Sequence, residues 1–425
     1  MTKNDPRYMA YLSILNNHLS PAMGCTEPIA IAYAGAVAAS VLGTRPEKAI
    51  VEVSGNIIKN AKAVTVPNTN GKKGIEAACA AGLIAGDPTK ELEVISRVTP
   101  EQLQEIEEYM QQKTITVKAK ENARLFDIEI IVYSKEDVAS VRIVDRHTNI
   151  VKIEKNGQAL QELPIQREES EKNENEDLLT IEGIYEFAVN CDIKDIEELI
   201  QRQIDCNDAI AQEGMEGDWG AGIGKVLMNS FGDTDVKIRA KAYAAASSDA
   251  RMSGCEMPVV INSGSGNQGI TVSVPVIEYA KALGSDKETL YRALVLSNLI
   301  AIRQKILIGY LSAYCGVISA GSAAGAGIAY LQGGDLYVIN HTIVNSLAIL
   351  SGTICDGAKP SCAAKIASAV DAAILGYEMA VAGKQFKDGE GIIKKGVENT
   401  IKNIGRLGRD GMRQTDEEII KMMTE

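Results

Sequence analysis

The segment Ile306 to Gly334, ILIGYLSAYCGVISAGSAAGAGIAYLQGG, places the tightest constraint on the fold. It carries no charged side chain over a length that would span a bilayer. Gly321 and Gly325 even have the small-residue spacing of packed membrane helices. Glycine and serine interrupt the segment throughout, however, and aromatic anchors do not flank it. We therefore predict a pair of buried helices in a soluble protein rather than a membrane span.

Composition agrees with a core of close-packed helices. Hydrophobic residues make up 45% of the 425 residues, whereas aromatic residues make up 4%. With so few large rings, the core has to be filled by small and aliphatic side chains at helix contacts. A chain of this length holds either two domains or one large domain.

Charge and cysteine content restrict the function and the compartment. The formal net charge is −12, and no basic cluster of the kind that binds nucleic acid is present. The opening residues, MTKNDPRYMAYLS, lack the hydrophobic region of a signal peptide, so we expect a cytoplasmic protein. Eight cysteines in that compartment argue against disulfides and favour metal binding or catalysis for some of them.

The first 165 residues predict an α+β fold class. Alternation of apolar and polar residues predicts half-buried strands at 49–55, 63–68, 114–119, 127–134, 139–145 and 149–155. Helical patterns cover 5–18, 28–42, 74–86 and 100–112. Residues 1–165 are therefore predicted to form an N-terminal α/β-sandwich-like domain with an antiparallel or mixed sheet.

The second half reads as helical almost to its end. The charged stretch 166–177, QREESEKNENED, lacks apolar periodicity and predicts an exposed linker. Helical patterns then cover 178–190, 193–213, 220–230, 236–252, 276–282, 286–304, 306–332, 340–354, 360–381 and 389–404, before a polar helical end. Residues 258–275 are interpreted as a glycine-rich break. We predict a mostly all-α domain, rich in small residues, over 178–425.

Cys25 stands between glycine and threonine in the stretch SPAMGCTEP, at the predicted start of a helix. Thr26 or Glu27 is expected to cap that helix, and Pro28 suits its first position. The thiol would then lie near free backbone N–H groups and the positive end of the helix dipole. Both favour a thiolate that acts as a base or a nucleophile. An ordinary half-buried cysteine near a helix cap remains the alternative.

Three further cysteines form a second candidate group. Cys355 and Cys362 flank a turn that contains Gly357 and Pro360, and Cys315 lies in the small-residue segment. Three thiolates can hold a soft metal or an iron–sulfur cluster, and a cluster held by three leaves one iron open to act as a Lewis acid. The spacing matches neither a zinc motif nor a ferredoxin motif, so three core cysteines remain an alternative.

Two glycine-rich stretches need separate interpretation. SGSGNQG, residues 263–269, fits G-x-G-x-x-G but is not set in a βαβ unit, so a flexible turn is favoured over a dinucleotide site. A further alternative is an anion-binding loop in which Asn262, Asn267 and Gln268 help to hold a small carboxylate. GDWGAGIGK, residues 217–225, lacks the complete P-loop pattern and predicts a turn before a helix.

The remaining histidines and cysteines carry no pattern of their own. The histidines show no metal-binding spacing and are interpreted as surface or structural residues: His18, His147 and His341. The other cysteines are interpreted as structural: Cys79, Cys191, Cys206 and Cys255.

Four motifs in this order, SPAMGCTEP, NSGSGNQG, YCGVISAG and CDGAKPSCAAK, together resemble the L-cysteine desulfidase family. That family is related to the alpha chain of iron–sulfur L-serine dehydratases. The resemblance runs from Ser20 to about residue 405. It implies a four-iron four-sulfur (4Fe-4S) cluster held by Cys315, Cys355 and Cys362, with Cys25 as the proton acceptor. The implied reaction converts L-cysteine and water to pyruvate, ammonia and hydrogen sulfide without pyridoxal phosphate.

The residues suit such an elimination. The α-carbon is a weak acid and needs a desolvated base, which Cys25 can supply, while the leaving thiol needs an electrophile. Candidate substrate-binding residues lie in the two glycine-containing motifs: Ser20, Gly24, Thr26, Glu27, Asn262, Ser263, Ser265, Asn267 and Gln268. We expect an amino-acid substrate and a homo-oligomer, with neither nucleic acid nor a membrane as partner.

One departure and two alternatives accompany the resemblance. Some related dehydratases are thought to place a C-terminal cysteine on the open iron, and this sequence has no cysteine after Cys362. The open iron would then carry water, substrate or sulfide. L-serine dehydration is the alternative reaction, because it needs the same base and the same iron. A non-catalytic iron–sulfur sensor is the alternative from another class, although no basic DNA-reading element is visible.

Overall fold

The N-terminal half is built on one mixed sheet, as predicted. The computed structural model describes residues 1–165 and 178–424. In chain order the elements of the first half are α1 (Pro6–His18), β1 (Pro21–Met23), α2 (Thr26–Leu42), β2 (Lys48–Val53), α3 (Gly55–Ala61), α4 (Gly74–Ala85), α5 (Pro100–Gln111), β3 (Ile115–Ala119), β4 (Asp127–Tyr133), β5 (Val138–Val144), β6 (Ile150–Lys155) and β7 (Gln158–Glu162).

The sheet has the strand order β3-β2-β4-β5-β6-β7. Strands β2 and β3 run parallel, and the remaining neighbours are antiparallel. Burial alternates along β4 and β5, because successive side chains point to opposite faces of a sheet. Helix α2 packs against these two strands, and α4 packs against α2. The α+β class and the mixed sheet are therefore confirmed.

Some predicted boundaries in this half are wrong. Residues 63–68 do not form a strand and contribute a single bridge from Thr65 to Lys73. The alternation there is real, but Asn68 and Asn70 have left-handed backbone angles that turn the chain away. Helix α3 and the short strands β1 and β7 were not predicted.

The second half is helical, as predicted. Its elements are α6 (Ile181–Asn190), α7 (Glu197–Glu216), α8 (Ile223–Phe231), α9 (Val236–Met252), β8 (Pro258–Val260), α10 (Gly266–Leu283), α11 (Lys287–Ile308), α12 (Gly316–Leu331), α13 (Leu336–Leu350), α14 (Cys362–Val381), α15 (Val397–Arg406) and α16 (Arg413–Thr424). The segment 306–334 contributes residues 306–308 to the end of α11 and, after a loop, forms the buried helix α12. The predicted burial is confirmed, but the helix pair within the segment and the continuous helix over 306–332 are wrong.

Small residues allow these helices to approach closely. A Cβ atom on Gly321 of α12 would stand 2.8 Å from the backbone oxygen of Ala369 in α14. Helix α12 is buried along nearly its whole length. Among the helices of residues 1–165 and 178–424, none is both long and apolar enough to cross a membrane.

The predicted glycine-rich break at 258–275 is wrong in its second part. Helix α10 already begins at Gly266 and continues through Pro275. Ser265 caps it by accepting a hydrogen bond from the Gln268 N–H, which is the usual role of serine at that position. Gly269 allows the new helix to pass close to β8, since a Cβ there would meet the Val260 oxygen at 2.1 Å.

The two halves share contacts. Strand β1 pairs with β8 across the chain, with Ala22 opposite Val259. The main cluster of buried hydrophobic residues extends from Met1 to Ile419 and includes side chains of both halves. The predicted division into domains 1–165 and 178–425 stays a prediction, and the linker predicted at 166–177 lies outside the described residues.

Candidate active site

A cavity of about 270 Å³ lies between the halves and collects most of the predicted site residues. The first half contributes the end of α1, the start of α2, the end of α3 and the β5–β6 turn. The second half contributes the start of α10, the α11–α12 turn and the loop before α14. The predicted site residues on its wall are Ser20, Cys25, Thr26, Glu27, Ser263, Ser265, Asn267, Gln268, Cys315, Cys355 and Cys362.

Gly24 and Asn262 do not line the cavity and have structural surroundings instead. Gly24 has a φ of +60°, and a Cβ on it would lie 2.4 Å from the Pro67 ring, so glycine is required in this turn. Asn262 is fully buried and donates a hydrogen bond to Asn298 Oδ1 at 2.9 Å. Both residues position the loops that carry the lining residues.

Cys25 is itself the N-cap residue of α2, which corrects the expected cap at Thr26 or Glu27. Its backbone is extended, with φ −82° and ψ 133°, and its thiol makes no capping hydrogen bond. Pro28 is consequently the third residue of the helix and not the first. The short strand β1 and the turn at Gly24 bring the thiol to the cavity wall, where it is 3% exposed.

Burial and the neighbouring Glu27 both favour the protonated form of Cys25. The Cys25 Sγ donates to Glu27 Oε2 at 3.2 Å, and the Asn60 amide donates to Glu27 Oε1 at 3.1 Å. Burial, followed by the nearby Glu27 carboxylate, raises the pKa of Cys25 well above its usual value, while the Arg251 charge opposes that shift. These surroundings favour a thiol with a carboxylate acceptor beside it over the expected resting thiolate.

The three cysteines of the second group lie on two loops that are joined to each other. An isolated antiparallel bridge links Tyr314 to Ile354. The Cys315 N–H donates to Thr353 O at 3.0 Å, and the Cys355 N–H donates to Ala313 O at 2.6 Å. These hydrogen bonds fix the two cysteines as neighbours across the loop pair.

Cys362 completes this group as the first residue of α14. Burial, and then the proximity of Cys355 and Cys362, raise the pKa of Cys315 to about 12. Cys315 caps α12 at the cavity wall, so two helices begin at the thiols with the positive ends of their dipoles. All eight cysteines are free thiols.

Cys315, Cys355 and Cys362 are thiols on the cavity wall of the kind that hold an iron–sulfur cluster. Within the part of the chain that the structure describes, no three His, Cys, Asp or Glu side chains are grouped to hold one ion. Thiolates that bind different irons of a cluster stand farther apart than the ligands of one ion. Lys305, which is 5% exposed, lies close to Cys315 and Cys355, and Lys365 also lies near Cys315. These positive charges compensate for the negative charge that three thiolates would bring.

The loop before α14 is held by a small ion-pair group. Asp356 accepts from Lys365 at 2.6 Å and also pairs with Lys359. Lys365 donates a second hydrogen bond to Ile354 O at 2.9 Å. The lysines lower the pKa of Asp356 to about 2, against the effect of burial, so the carboxylate stays charged and keeps both ion pairs.

The glycine-containing loop 263–268 forms the wall next to Cys25. Thr26 Oγ1 donates to Gly264 O at 2.9 Å, which ties the start of α2 to this loop. The amide of Gln268 lies against Gly316, where a Cβ would be 2.7 Å from its carbonyl carbon. Gln268 Oε1 is buried and has no hydrogen-bond partner in the described structure. An unpartnered buried acceptor next to Cys315 indicates that a bound group completes this wall.

Sequence reasoning missed several lining residues that belong to no motif. Arg251, Lys305 and Asn60 all face the cavity and are at most 8% exposed. Two histidines interpreted as surface or structural, His18 and His147, also lie on the wall. A sequence signal for such residues was a single cation inside an apolar or small-residue helix, as for Arg251 in AAASSDARM. Because a buried charge requires a partner, such a cation indicates a binding site.

His147 enters the cavity from the β5–β6 turn and is half-buried. Its ring packs edge-on against Phe126 with a centroid distance of 4.8 Å, and its Nε2 has no partner in the described structure. Burial lowers the pKa of His147. A neutral imidazole therefore lies on the cavity wall against Gly264, where a Cβ would be 3.0 Å from its Cε1.

Comparison with known proteins gives a consistent family. The model of the serine dehydratase alpha chain family matches residues 89–421, which include the three grouped cysteines and the 263–268 loop but not Cys25. A UPF0597 protein of Desulfitobacterium hafniense is 56% identical over 423 residues, covering 100% of this chain and 98% of its own length. UPF0597 proteins of Finegoldia magna and Treponema denticola are 49% and 42% identical, with at least 98% of both chains covered. The chain belongs to the serine dehydratase alpha chain family.

Proposed function

We propose that the protein is an iron–sulfur-dependent lyase that eliminates hydrogen sulfide from L-cysteine. The products are pyruvate, ammonia and hydrogen sulfide. The observation that supports the proposal most directly is that Cys25, Cys315, Cys355 and Cys362 line one cavity, although they are far apart in the sequence. Membership of a family named for a dehydratase supports elimination as the type of reaction.

Cys315, Cys355 and Cys362 would hold the four-iron four-sulfur cluster. When bound, such a cluster supplies a Lewis acid at the iron that has no protein ligand, and this acid polarises the leaving group. Residues 363–425 contain no cysteine and so offer no further thiol to that position.

Cys25 and Glu27 would act together as the base. Because the Cys25 thiol already donates to Glu27 Oε2, its proton can move to that carboxylate as the thiolate forms. The thiolate sulfur then accepts the α-proton of the substrate. Asn60 holds the other oxygen of Glu27, so the carboxylate stays aimed at the thiol throughout.

The chain's remaining task is to orient the amino acid between the base and the cluster cysteines. The 263–268 loop and the start of α10 lie beside Cys25, and Gln268 reaches Gly316 next to Cys315. A substrate whose carboxylate rests on this loop would present its α-proton to Cys25 and its β-thiol to the other side. The aminoacrylate released by elimination tautomerises to an imine, and water hydrolyses the imine to pyruvate and ammonia.

L-serine dehydration is the second candidate, and the name of the matched family favours it. The base and the carboxylate loop serve both reactions equally, because L-serine differs from L-cysteine in the leaving group alone. The polarised leaving group is thiol in one reaction and hydroxyl in the other.

The test compares both substrates with anaerobically purified protein. We expect sulfide and pyruvate in equal amounts from L-cysteine, at a higher kcat/KM than pyruvate from L-serine. Pyruvate from L-serine without faster release from L-cysteine would assign the protein to dehydration. Brown protein that is inert toward both amino acids would support an iron–sulfur sensor instead.

The cluster assignment is tested in the same preparation with Cys355→Ala. Two thiolates do not hold the cluster firmly, so we expect the visible absorbance and the bound iron to be lost. Cys206→Ala is the matched control, since Cys206 is a half-buried free thiol that does not line the cavity. Wild-type iron content in Cys355→Ala would contradict the assignment, as would a wild-type protein that stays colourless after anaerobic reconstitution.

A further inference from the structure

We propose that Arg251 binds the α-carboxylate of the substrate and restricts the enzyme to amino acids whose carboxylate is free. This inference rests on the proposed function and adds to it the residue that recognises the substrate class. No motif contains Arg251, which lies near the end of α9, on the cavity wall.

Arg251 is a buried cation without a counterion. It is 2% exposed, and within residues 1–165 and 178–424 no carboxylate lies at ion-pair distance from it. Its Nη1 donates to Asn267 Oδ1 at 3.1 Å, and its Nε is buried without a partner. A buried charge is strongly unfavourable unless it is paired, and an arginine cannot avoid the cost by losing its proton. An anionic ligand is therefore the missing partner.

The surroundings leave space for the guanidinium and orient it. A Cβ on Gly266 would lie 2.2 Å from Arg251 Nε, so the group lies directly against the first residue of α10. Ser248 donates to the same Asn267 oxygen at 3.2 Å and fixes that side chain. The positive end of the α10 dipole faces the same region, which adds to its attraction for an anion.

The other buried cations of the cavity have different partners. Lys59 forms an ion pair with Asp416, and Lys305 lies beside Cys315 and Cys355. Arg251 instead lies close enough to Cys25 to influence its protonation. The α-carbon is bonded directly to the carboxylate, so the base and the carboxylate site have to be neighbours. Arg251 is the buried cation that meets this condition.

The test measures binding without turnover. L-alanine has the α-amino group and the α-carboxylate but no leaving group, and L-alaninamide lacks the carboxylate charge. We expect calorimetry on the anaerobic holoenzyme to show L-alanine binding that Arg251→Gln weakens by about 30-fold or more, the usual penalty for removing one member of a buried charge pair. Arg251→Lys should recover part of the affinity. L-alaninamide should bind weakly to all three proteins.

Arg303→Gln is the matched control. Arg303 is also buried, at 7% exposure, but it pairs with Glu398 and does not line the cavity. This variant should bind L-alanine like the wild type. If Arg251→Gln does not fold, the comparison of the two ligands on the wild type and on Arg251→Lys still decides.

The outcomes separate this inference from the proposed function. Equal binding of L-alanine and L-alaninamide to the wild type, or wild-type affinity for L-alanine in Arg251→Gln, would overturn the role of Arg251. Neither result would affect sulfide release from L-cysteine by the wild type. Conversely, binding of L-alanine that depends on Arg251, in a protein that eliminates neither L-cysteine nor L-serine, would leave the carboxylate site in place and refute the lyase.

Discussion

Cys25 has two roles at one position, as the N-cap of α2 and as the partner of Glu27. A helix N-terminus alone would favour a thiolate. The structure adds burial and a carboxylate at 3.2 Å, and both favour the thiol. Burial and the carboxylate outweigh the helix dipole, so the proposed role of Cys25 as a base requires the thiolate to be generated when the substrate binds.

We predict that Cys25→Ala keeps the visible absorbance of the cluster and loses elimination activity. The base is removed while the three grouped cysteines are untouched, so the rate should fall by roughly 100- to 10,000-fold, the usual contribution of general base catalysis. Absorbance spectra and sulfide release from the same anaerobic sample provide the two measurements.

Cys255→Ala is the control for this prediction, because Cys255 is 3% exposed like Cys25 but lies off the cavity wall. It should retain both properties. Loss of iron from Cys25→Ala would show that Cys25 serves the cluster and not the substrate.

The sequence indicated which cysteines belong to the candidate site but did not indicate which side chains surround them. Cys25, Cys315, Cys355 and Cys362 stood out because thiols in glycine-containing turns are unusual. The direction of the Cys25 pKa could not be read from the chain, since it depends on burial and on the side chains brought next to it. Arg251 was missed for a related reason: the sequence shows a single cation in a small-residue helix, but the structure is needed to show that no carboxylate of the described residues pairs with it.

The glycine-rich turn before helix α8 is held by one buried carboxylate, that of Asp249. GDWGAGIGK forms a turn before α8, as predicted, and Asp249 of α9 accepts hydrogen bonds from Ala221 N at 3.3 Å and Ile223 N at 2.7 Å. Asp249 is 1% exposed, and burial raises its pKa above the usual 3.8 despite these bonds. The carboxylate therefore anchors the helix start at an electrostatic cost.

The stability of the protein should depend on pH, because the pKa of Asp249 differs between the folded and the unfolded chain. Because the folded protein binds this proton more tightly than the unfolded chain does, its stabilising contribution is complete below pH 3.8 and is lost as the pH rises through the raised pKa. Asp249→Asn does not titrate. We predict that the free energy of unfolding of the wild type, relative to that of Asp249→Asn, is larger at pH 5 than at pH 7.5, so that the wild type gains relative stability at the lower pH.

Urea denaturation of both proteins at the two pH values measures this difference, and effects of other titrating groups cancel between them. A relative stability that does not change with pH, or changes in the opposite direction, would show that Asp249 is charged throughout.

Secondary structure was predictable where a periodic pattern coincided with local preference. Most of the sheet strands follow from alternation, and the long helices follow from apolar spacing. The glycine-rich break at 258–275 failed because tertiary contacts select the helix there: Gly269 passes the β8 backbone, and α10 is buried on most sides. The strand predicted at 63–68 failed because the left-handed backbone angles of Asn68 and Asn70 outweigh the alternation in this segment.

Helix α16 contacts α3, which forms part of the cavity wall. Lys59 on α3 pairs with Asp416 on α16, and the side chains are 1% and 10% exposed. Lys62 donates to Met423 O at 2.8 Å, so α16 is held at two points. Lys59 also lines the cavity, and its backbone oxygen lies against Gly357 in the loop before α14. The last helix thus supports the wall of the candidate site.

We predict that Asp416→Asn destabilises the protein by roughly 3–5 kcal/mol, because Lys59 would be left charged and buried without a partner. The double variant Lys59→Met with Asp416→Leu should recover most of that loss, since it removes both charges. Denaturant titration of the single and double variants measures the change, and a loss below 1 kcal/mol in the single variant would mean that solvent reaches Lys59.

The overall division into a sheet-bearing half and a helical half was predictable from periodicity. The packing of the two halves against each other was not predictable, because the segments that join them are short and show no periodic pattern. Strand β1 has three residues, as does its partner β8, and neither resembles a strand in the sequence. The location of the cavity follows from that pairing.

The β1–β8 pairing also bears on synthesis. Pro21–Met23 leaves the ribosome long before Pro258–Val260 is translated, so the early segment has to wait with its backbone groups unpaired. Contacts between such distant segments form slowly and leave the nascent chain exposed to wrong partners in the meantime. The turn that carries Cys25 can reach its final position when β8 and the start of α10 have emerged, which makes its closure a late event in the maturation of each new molecule.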